Sequence, residues 1–301
     1  MTKRHGEGSL IALKSAIKKF LVLILLSVIG APGCSSPGDL IGPWRSKPVL
    51  KKRITVVPFI DFAGLGASDT ERITEQVVEM LSKSPNLVIY PCPLEIAALS
   101  APEKRGAMVE KAGELGFNAL IIGQLNPHEI EIKKKGLWPF KRAVSSVHIS
   151  LFIDVLETTT GTLLLTLTQR EEVELGEGDL SKTDETVSRR AWEKALPKIL
   201  EDPVERVLEA LENLTWIGRI IEVNGGDIKI DGGSDIGIIP LSIFEVFSAE
   251  EFVIAKDGRR YPTSWKRIGK IQVKEVRKTT SLAAPLKGGP FLPGQSVTLS
   301  D

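Results

Sequence analysis

The stretch Arg53-Ile-Thr-Val-Val-Pro-Phe-Ile60 decides the fold of the first domain. Its β-branched and aromatic residues predict a strand that is partly buried on both faces. Ser68-Asp-Thr-Glu71 then has the form of a capping box, in which the Ser68 hydroxyl and the Glu71 carboxylate satisfy backbone N–H groups. Apolar residues follow at helical spacing. This order predicts a strand leading into a helix over residues 69–82.

Further elements follow in an order typical of a mixed sheet with helices packed on it. A hairpin with Thr158-Thr-Thr-Gly161 at its turn follows two strand–helix pairs and a third strand. A last helical stretch over 181–213 is predicted to be interrupted at Pro197 and Pro203. We therefore predict an α+β domain over residues 53–213. The other elements expected in it are strands at 87–90, 119–124, 144–155 and 162–173, and a helix over 103–115.

The last part of the chain, residues 216–301, is a series of short strands separated by turn residues. Asn224-Gly225 is predicted to form a two-residue hairpin turn, because both residues tolerate a positive φ. Short strands at this spacing predict a small all-β, barrel-like domain. The predicted strands are 218–223, 227–230, 243–247, 268–276 and 294–299.

Both domains resemble those of known bacterial envelope families. The phrases "RITVVPFIDF", "SPNLVIY", "LGFNALIIGQL" and "TTTGTLL" are similar to the curli-secretion lipoprotein family, and to the N-terminal α/β domain of the Tol–Pal translocation protein. The series "GRIIEVNGGDIKIDGG…IGKIQVKEV" resembles the C-terminal domain of flagellar assembly protein T. The resemblance implies a role in a secretion, flagellar or other envelope assembly.

The N-terminus has the layout of an export signal. Five Lys or Arg residues and one acidic residue precede the apolar run Phe20-Leu-Val-Leu-Ile-Leu-Leu-Ser-Val-Ile29. Small residues follow the run. The run is too short for a spanning helix, which needs about 20 apolar residues. Residues 1–33 are therefore predicted to be a signal peptide. A buried helix of the folded domain is the alternative.

The end of this segment resembles a bacterial lipoprotein signal, in which the cysteine after the cleavage site is lipidated. The resemblance implies cleavage after Gly33 and lipidation, including palmitate, at Cys34; Ala31 and Pro32 depart from the family pattern. A plain signal peptide or an uncleaved anchor are the alternatives. Residues 34–52 would form a flexible tether. Ser35 in place of an aspartate implies placement in the outer membrane, facing the periplasm.

Composition excludes several functions. The chain has 301 residues with 39 Lys+Arg and 38 Asp+Glu, a balance that does not favour nucleic-acid binding. Two cysteines and three histidines exclude a disulfide scaffold and make a metal site improbable. Gly225-Gly226 and Gly232-Gly233 are interpreted as tight turns and not as phosphate loops. Cys92 is interpreted as a residue at the edge of the core. We predict no catalytic residues, no metal and no cofactor.

One segment is a candidate contact surface. Lys133-Lys-Lys-Gly-Leu-Trp-Pro-Phe-Lys-Arg142 joins two predicted strands and places aromatic residues between basic clusters. Such a loop tip suits an anionic membrane surface or a partner protein. The alternative is that its aromatic rings fold back onto the sheet. The candidate contact residues are Leu137, Trp138, Phe140, Lys141 and Arg142.

The sequence thus predicts a non-enzymatic, lipid-anchored envelope protein that acts as a periplasmic scaffold or assembly factor through protein–protein contacts. The alternative is an oligomeric, curli-type secretion channel of the outer membrane, in which each copy would supply spanning strands. A homo-oligomer is compatible with both. An undetected hydrolase is a third interpretation.

Overall fold

A mixed sheet of seven strands forms the first domain in the computed structural model, which describes residues 49–137, 139, 142–175, 183–255 and 258–300. Three parallel strands lie at one side, in the order β3-β1-β4, and β5 and β7 pair antiparallel with the long strand β6. The strands are β1 (Lys52–Val56), β2 (Ile60–Asp61), β3 (Leu87–Tyr90), β4 (Ala119–Leu125), β5 (Glu129–Lys135), β6 (Arg142–Glu157) and β7 (Leu163–Leu175).

Helices cover both faces of this sheet, because the strand residues alternate between two apolar cores. Ile121 of β4 faces the core shared with two long helices, whereas its neighbours Leu120 and Ile122 face the core shared with two shorter ones. The long helices are α1 (Ala67–Leu81) and α4 (Asp184–Glu212), and the shorter ones are α2 (Leu94–Ala97) and α3 (Arg105–Glu114). The result is a three-layer domain.

The second domain is a closed barrel of six strands in the order β10-β11-β12-β9-β8-β13. It has its own apolar core, which includes Trp216 and Phe244 at an edge-to-face ring distance of 5.8 Å. Beyond the closed part, residues 248–254 of β10 and 260–267 of β11 pair, among the described strands, only with each other and extend as a two-stranded hairpin. Its strands are β8 (Gly218–Asn224), β9 (Asp227–Ile230), β10 (Ile243–Ile254), β11 (Arg260–Val276), β12 (Ser281–Gly288) and β13 (Ser296–Leu299).

The predicted capping box is wrong. Helix α1 begins at Ala67, two residues before the predicted start, and its N-cap is Gly66 at φ 91° with no side-chain cap. The Asp61 carboxylate organises this turn instead, accepting hydrogen bonds from the N–H groups of Ala63 and Gly66 at 3.0 and 2.9 Å. An aspartate that bonds N–H groups further along the chain replaces the local serine cap.

The predicted interruptions at Pro197 and Pro203 are also wrong. Helix α4 runs continuously through both prolines. An interior proline removes one backbone hydrogen bond, but Trp192 and Ile199 on the same helix are fully buried against the sheet. Tertiary packing of this apolar stripe outweighs the local cost.

The hairpin between β8 and β9 differs from the prediction by one residue. Asn224 pairs with Asp227, so the turn is Gly225-Gly226, with φ values of 56° and 97°. Sequence reasoning also missed β5, β12 and α2, and it made β10 and β11 too short. Because β5 extends to Lys135 and β6 begins at Arg142, the loop predicted over 133–142 is shorter than expected. Two residues of the predicted tether belong to the fold, since Leu50 is buried in the barrel core and β1 begins at Lys52.

Candidate functional site

Arg53 of β1 joins the two domains. Its guanidinium donates from Nε to Asp235 Oδ2 and from Nη2 to Asp235 Oδ1, both at 2.9 Å. Nη2 also donates to the Thr279 carbonyl at 2.7 Å, and Nη1 donates to the Asp231 carbonyl. Every acceptor belongs to the barrel. The fork geometry of an arginine suits such a bidentate carboxylate contact.

Tyr90, at the end of β3, completes this ion pair. Its hydroxyl donates to Asp235 Oδ2 at 2.6 Å. Burial acts to raise the pKa of Asp235, but hydrogen bonds from Arg53 and Tyr90 outweigh it and hold that pKa below its ordinary value. The pKa of Tyr90 is raised by burial and by the carboxylate it bonds. At neutral pH Asp235 is therefore ionised and the Tyr90 hydroxyl keeps its proton.

Two more side chains of the first domain bond near the connection between the domains. The Asn118 side chain accepts from the Arg53 N–H at 3.0 Å and donates to the Ile217 carbonyl at 2.8 Å. The Lys52 ammonium donates to the Glu212 carbonyl at 3.2 Å, and burial lowers the pKa of this lysine. We call the set Lys52, Arg53, Tyr90, Asn118 and Asp235 the domain junction.

A cleft of about 350 Å³ lies beside this junction. Asp231 lines it, and its Oδ1 accepts from the Arg219 N–H at 2.6 Å. Burial raises the pKa of the Asp231 carboxyl, despite its hydrogen bond from Arg219. Other polar and aromatic residues of the wall are Glu110, Glu114, Phe117, Arg259, Arg260, Tyr261 and Trp265.

The hairpin of β10 and β11 closes one side of this cleft. Arg259, just before β11, contacts Glu110 of α3 at 3.1 Å. The Tyr261 ring lies against Gly161, where a Cβ atom would overlap the ring. Arg260 stacks on Phe252, 4.3 Å from the ring centroid. The walls combine aromatic faces with both signs of charge, an arrangement that can hold a polar ligand by stacking and hydrogen bonds.

The structure describes little of the predicted sites. Cys34 and Gly33 lie outside the described residues, as do Trp138, Phe140 and Lys141. Arg142 begins β6, and Leu137, in the connection between β5 and β6, is 86% exposed. The membrane or partner contact of this loop stays a prediction.

Cys92 and His148 are described by their local surroundings. Cys92 is half-buried with a free thiol, and burial raises its pKa, which disfavours the reactive thiolate. His148 Nε2 lies 3.0 Å from a carboxylate oxygen of Glu131. Among the described residues no group of His, Cys, Asp or Glu could hold a metal ion. No helix in the described part of the chain has the length and apolarity to cross a bilayer.

Sequence reasoning missed the domain junction. One signal was available, since Lys52-Arg53 begins a run otherwise typical of a buried strand, and both residues are buried. A buried charge requires a partner. The sequence did not indicate that the partner would be Asp235, which follows a turn in the other domain.

Comparisons with known proteins identify no family. No family model matches the sequence, and no curated protein matches it significantly. Solved structures with partial similarity include a hypothetical protein from Chlamydia trachomatis (14% identity, 54% of this chain and 98% of that chain, TM-score 0.36) and a lipoprotein from Neisseria meningitidis (14%, 52% and 99%, 0.29). Another is the LpoB C-terminal domain from Salmonella enterica (10%, 42% and 86%, 0.26). Likenesses at this level carry no argument about function.

Proposed function

We propose that this chain is a non-enzymatic, lipid-anchored protein of the cell envelope that acts as a periplasmic scaffold or assembly factor through protein–protein contacts. One observation carries the proposal. The domain junction fixes two domains with separate cores by a buried, bidentate ion pair. A scaffold requires surfaces held at a fixed spacing, and a rigid joint between domains supplies it.

The sequence supports the envelope part of this proposal. Residues 1–33 have the layout of a signal peptide, and Cys34 follows Gly33 as in bacterial lipoproteins. Acyl chains contribute about 0.8 kcal/mol per buried methylene, so two or more hold a protein firmly to a leaflet. In this proposal Cys34 carries the lipid, and the folded domains face the periplasm at the outer membrane.

The packing of β6 disfavours the alternative of a secretion channel. Val147, Ile149 and Leu151 of this strand are fully buried in the core that also contains α4. A strand that spans a bilayer must present its apolar residues to lipid. Forming a channel from β6 would require α4 to leave the sheet and expose this core.

Metabolic labelling with palmitate tests the anchor. We expect label in the wild-type chain, no label in Cys34→Ser, and loss of residues 1–33 from the mature protein. An unlabelled wild type, under conditions that label a control lipoprotein, would overturn the placement.

Site-specific cross-linking in cells tests the scaffold role. We expect partner proteins to be captured from both domains of wild type. Arg53→Ala should lose capture of those partners that contact both domains at once, because its domains are no longer fixed. Capture that is identical in wild type and Arg53→Ala would contradict the role of the junction.

A further inference from the structure

A second surface lies between helix α1 and strand β3, and it reaches the domain junction only at Tyr90. It is a groove of about 920 Å³. Its apolar floor contains Val56, Phe59, Val78 and Ile89, and Cys92 also lines it. We call it the α1–β3 groove. Phe59 and Val56 are buried, whereas Val78 and Ile89 are only partly covered, so the floor is open to an apolar or long-chain side chain.

A row of carboxylates borders the groove. Glu71, Glu75 and Glu79 recur every fourth residue on one face of α1, and all three are exposed. Within the described residues none of them forms a salt bridge, whereas Asp69 on the same helix contacts both Arg72 and Arg189. Like charges at this spacing repel each other on a helix. A cationic occupant would relieve that repulsion.

Strand β3 provides an unpaired edge beside the groove. In the described part of the chain it pairs with β1 alone. The Lys52 N–H donates to the Asn86 carbonyl, and bonded residues alternate along a parallel ladder, so the N–H and C=O of Ile89 point away from β1. An exposed edge of this kind is a template for another extended segment.

We propose that the α1–β3 groove binds an extended, basic segment of a partner protein, added as a strand on β3, with Lys or Arg at alternate positions. Glutamates four residues apart on a helix are separated by ~6 Å along its axis. Side chains two residues apart on a strand are separated by ~6.6 Å. Alternate basic residues therefore meet successive carboxylates.

Long basic side chains also match the floor of the groove. Lysine and arginine carry apolar stems, which bury against apolar surface while the charged head remains at the rim. Here the stems lie over Val78 and Ile89 and the heads reach the glutamates. Backbone hydrogen bonds to β3 supply affinity, and the carboxylate row selects for basic residues. This inference does not depend on lipidation of Cys34.

The test uses the detergent-extracted full chain and a fluorescent synthetic peptide of alternating lysine and threonine. Binding is measured by anisotropy at low salt. We expect saturable binding to wild type and an affinity reduced roughly tenfold or more in Glu71→Gln/Glu75→Gln/Glu79→Gln, because rim charges control such association. The matched control, Glu193→Gln/Glu201→Gln/Glu205→Gln on exposed positions of α4, removes the same charge elsewhere. It should change the affinity less than twofold.

Two further probes test the geometry. A peptide that is N-methylated at alternate residues cannot add as a strand, and we expect it not to bind. A peptide with an activated disulfide at one end should form a mixed disulfide with Cys92 in wild type, and more slowly in the triple glutamine variant. Equal binding of the normal and methylated peptides, or equal affinity of the groove and control variants, would overturn the proposal.

Two other results would show that the groove is occupied by something other than a partner protein. If Arg45→Glu/Lys47→Glu binds the peptide tenfold more tightly than wild type, the chain's own preceding segment occupies the groove, and the proposal of a partner is wrong. If light scattering shows a dimer of the wild type that the triple glutamine variant loses, a second copy is the occupant, which also overturns it. A monomer with unchanged affinity in Arg45→Glu/Lys47→Glu supports a partner.

Discussion

Arg53 in the first domain and Asp235 in the barrel form a bidentate ion pair although 182 positions separate them in the chain. Their side chains are only 8% and 7% exposed. Taking two charges out of water is costly, and good geometry with further hydrogen bonds offsets that cost. Thr279 and Tyr90 supply such bonds here. The pair therefore specifies how the domains meet more than it adds net stability.

Removing one partner of this pair should be strongly destabilising. We expect Asp235→Ala to lower the free energy of unfolding by about 3–5 kcal/mol, because it leaves the Arg53 guanidinium buried without its carboxylate. Urea unfolding followed by circular dichroism measures this. The control Arg72→Ala breaks a more exposed pair with Asp69 and should cost less than about 1 kcal/mol. Similar losses in both variants would contradict the role assigned to the junction.

The two acidic residues next to Arg53 should respond to pH in opposite directions. The folded-state pKa of Asp235 is lowered, so its stabilisation is present above the unfolded pKa of about 4 and is lost as the pH falls through the folded value. We expect Asp235→Asn to have a lower Tm than wild type at pH 7. The difference should shrink as the pH falls below about 4.

Asp231 should behave in the reverse way. Its folded-state pKa is raised, so its stabilisation is present below the unfolded pKa of about 4 and is lost as the pH rises toward the folded value. Asn does not titrate, and it keeps an oxygen that can accept from the Arg219 N–H. We expect Asp231→Asn to raise the Tm at pH 7 and to leave it unchanged at about pH 3. A lower Tm at pH 7 would show that the carboxylate is needed in its charged form.

The prolines of α4 provide a test of local against tertiary stability. Pro197 is on the exposed face of the helix and Pro203 is buried. An interior proline costs about 3 kcal/mol relative to alanine. We expect Pro197→Ala to raise the free energy of unfolding by roughly 1–3 kcal/mol. Pro203→Ala should gain less, because it also removes buried atoms. Chemical denaturation measures the free energy of unfolding of both variants. A loss of stability in Pro197→Ala would contradict the expectation.

Gly233 should tolerate no side chain. A Cβ atom there would overlap the backbone carbonyl oxygens of Arg277 and Lys278, which cannot move independently of the barrel. We expect Gly233→Ala to cost about 1–3 kcal/mol or more through this overlap. Gly225 has open space around it but a φ of 56°, so Gly225→Ala should cost only about 1 kcal/mol. Thermal unfolding of both variants shows which one loses more stability. A smaller loss in Gly233→Ala than in Gly225→Ala would contradict the prediction.

The loop between β5 and β6 gives a prediction about membrane contact. We expect Trp138→Ala/Phe140→Ala to weaken binding of the lipid-free protein to anionic vesicles, because aromatic rings settle at the headgroup level. Vesicle co-sedimentation measures it. The control Leu94→Ala removes an apolar side chain of α2 that is 87% exposed, and it should leave vesicle binding unchanged. Unchanged vesicle binding of the double variant would reject a membrane role for this loop.

Local patterns were sufficient to predict most elements of the fold. The alternation of apolar residues predicted β6, and helical spacing predicted α1, because both periodicities follow from backbone geometry alone. A continuous apolar run predicted β4, and the turn at Gly161 predicted the return strand β7. The predicted α+β domain followed by a small barrel is present. One failure came where a different local side chain organised the turn, as Asp61 did before α1. Another came where tertiary packing outweighed a local preference, as sheet packing did at Pro197.

The sequence by itself determined the division into an α+β domain and a small barrel, most of their strands and helices, and the charged and apolar layout of residues 1–34. Only the tertiary structure decided that Arg53 meets Asp235, that Asp231 lines a cleft, and that the glutamates of α1 border an open strand edge. The physical reason is the distance along the chain over which each effect acts. Periodicity and turn preference act over a few residues, whereas an ion pair or a groove depends on segments brought together by packing, and one sequence does not record which distant segments will meet.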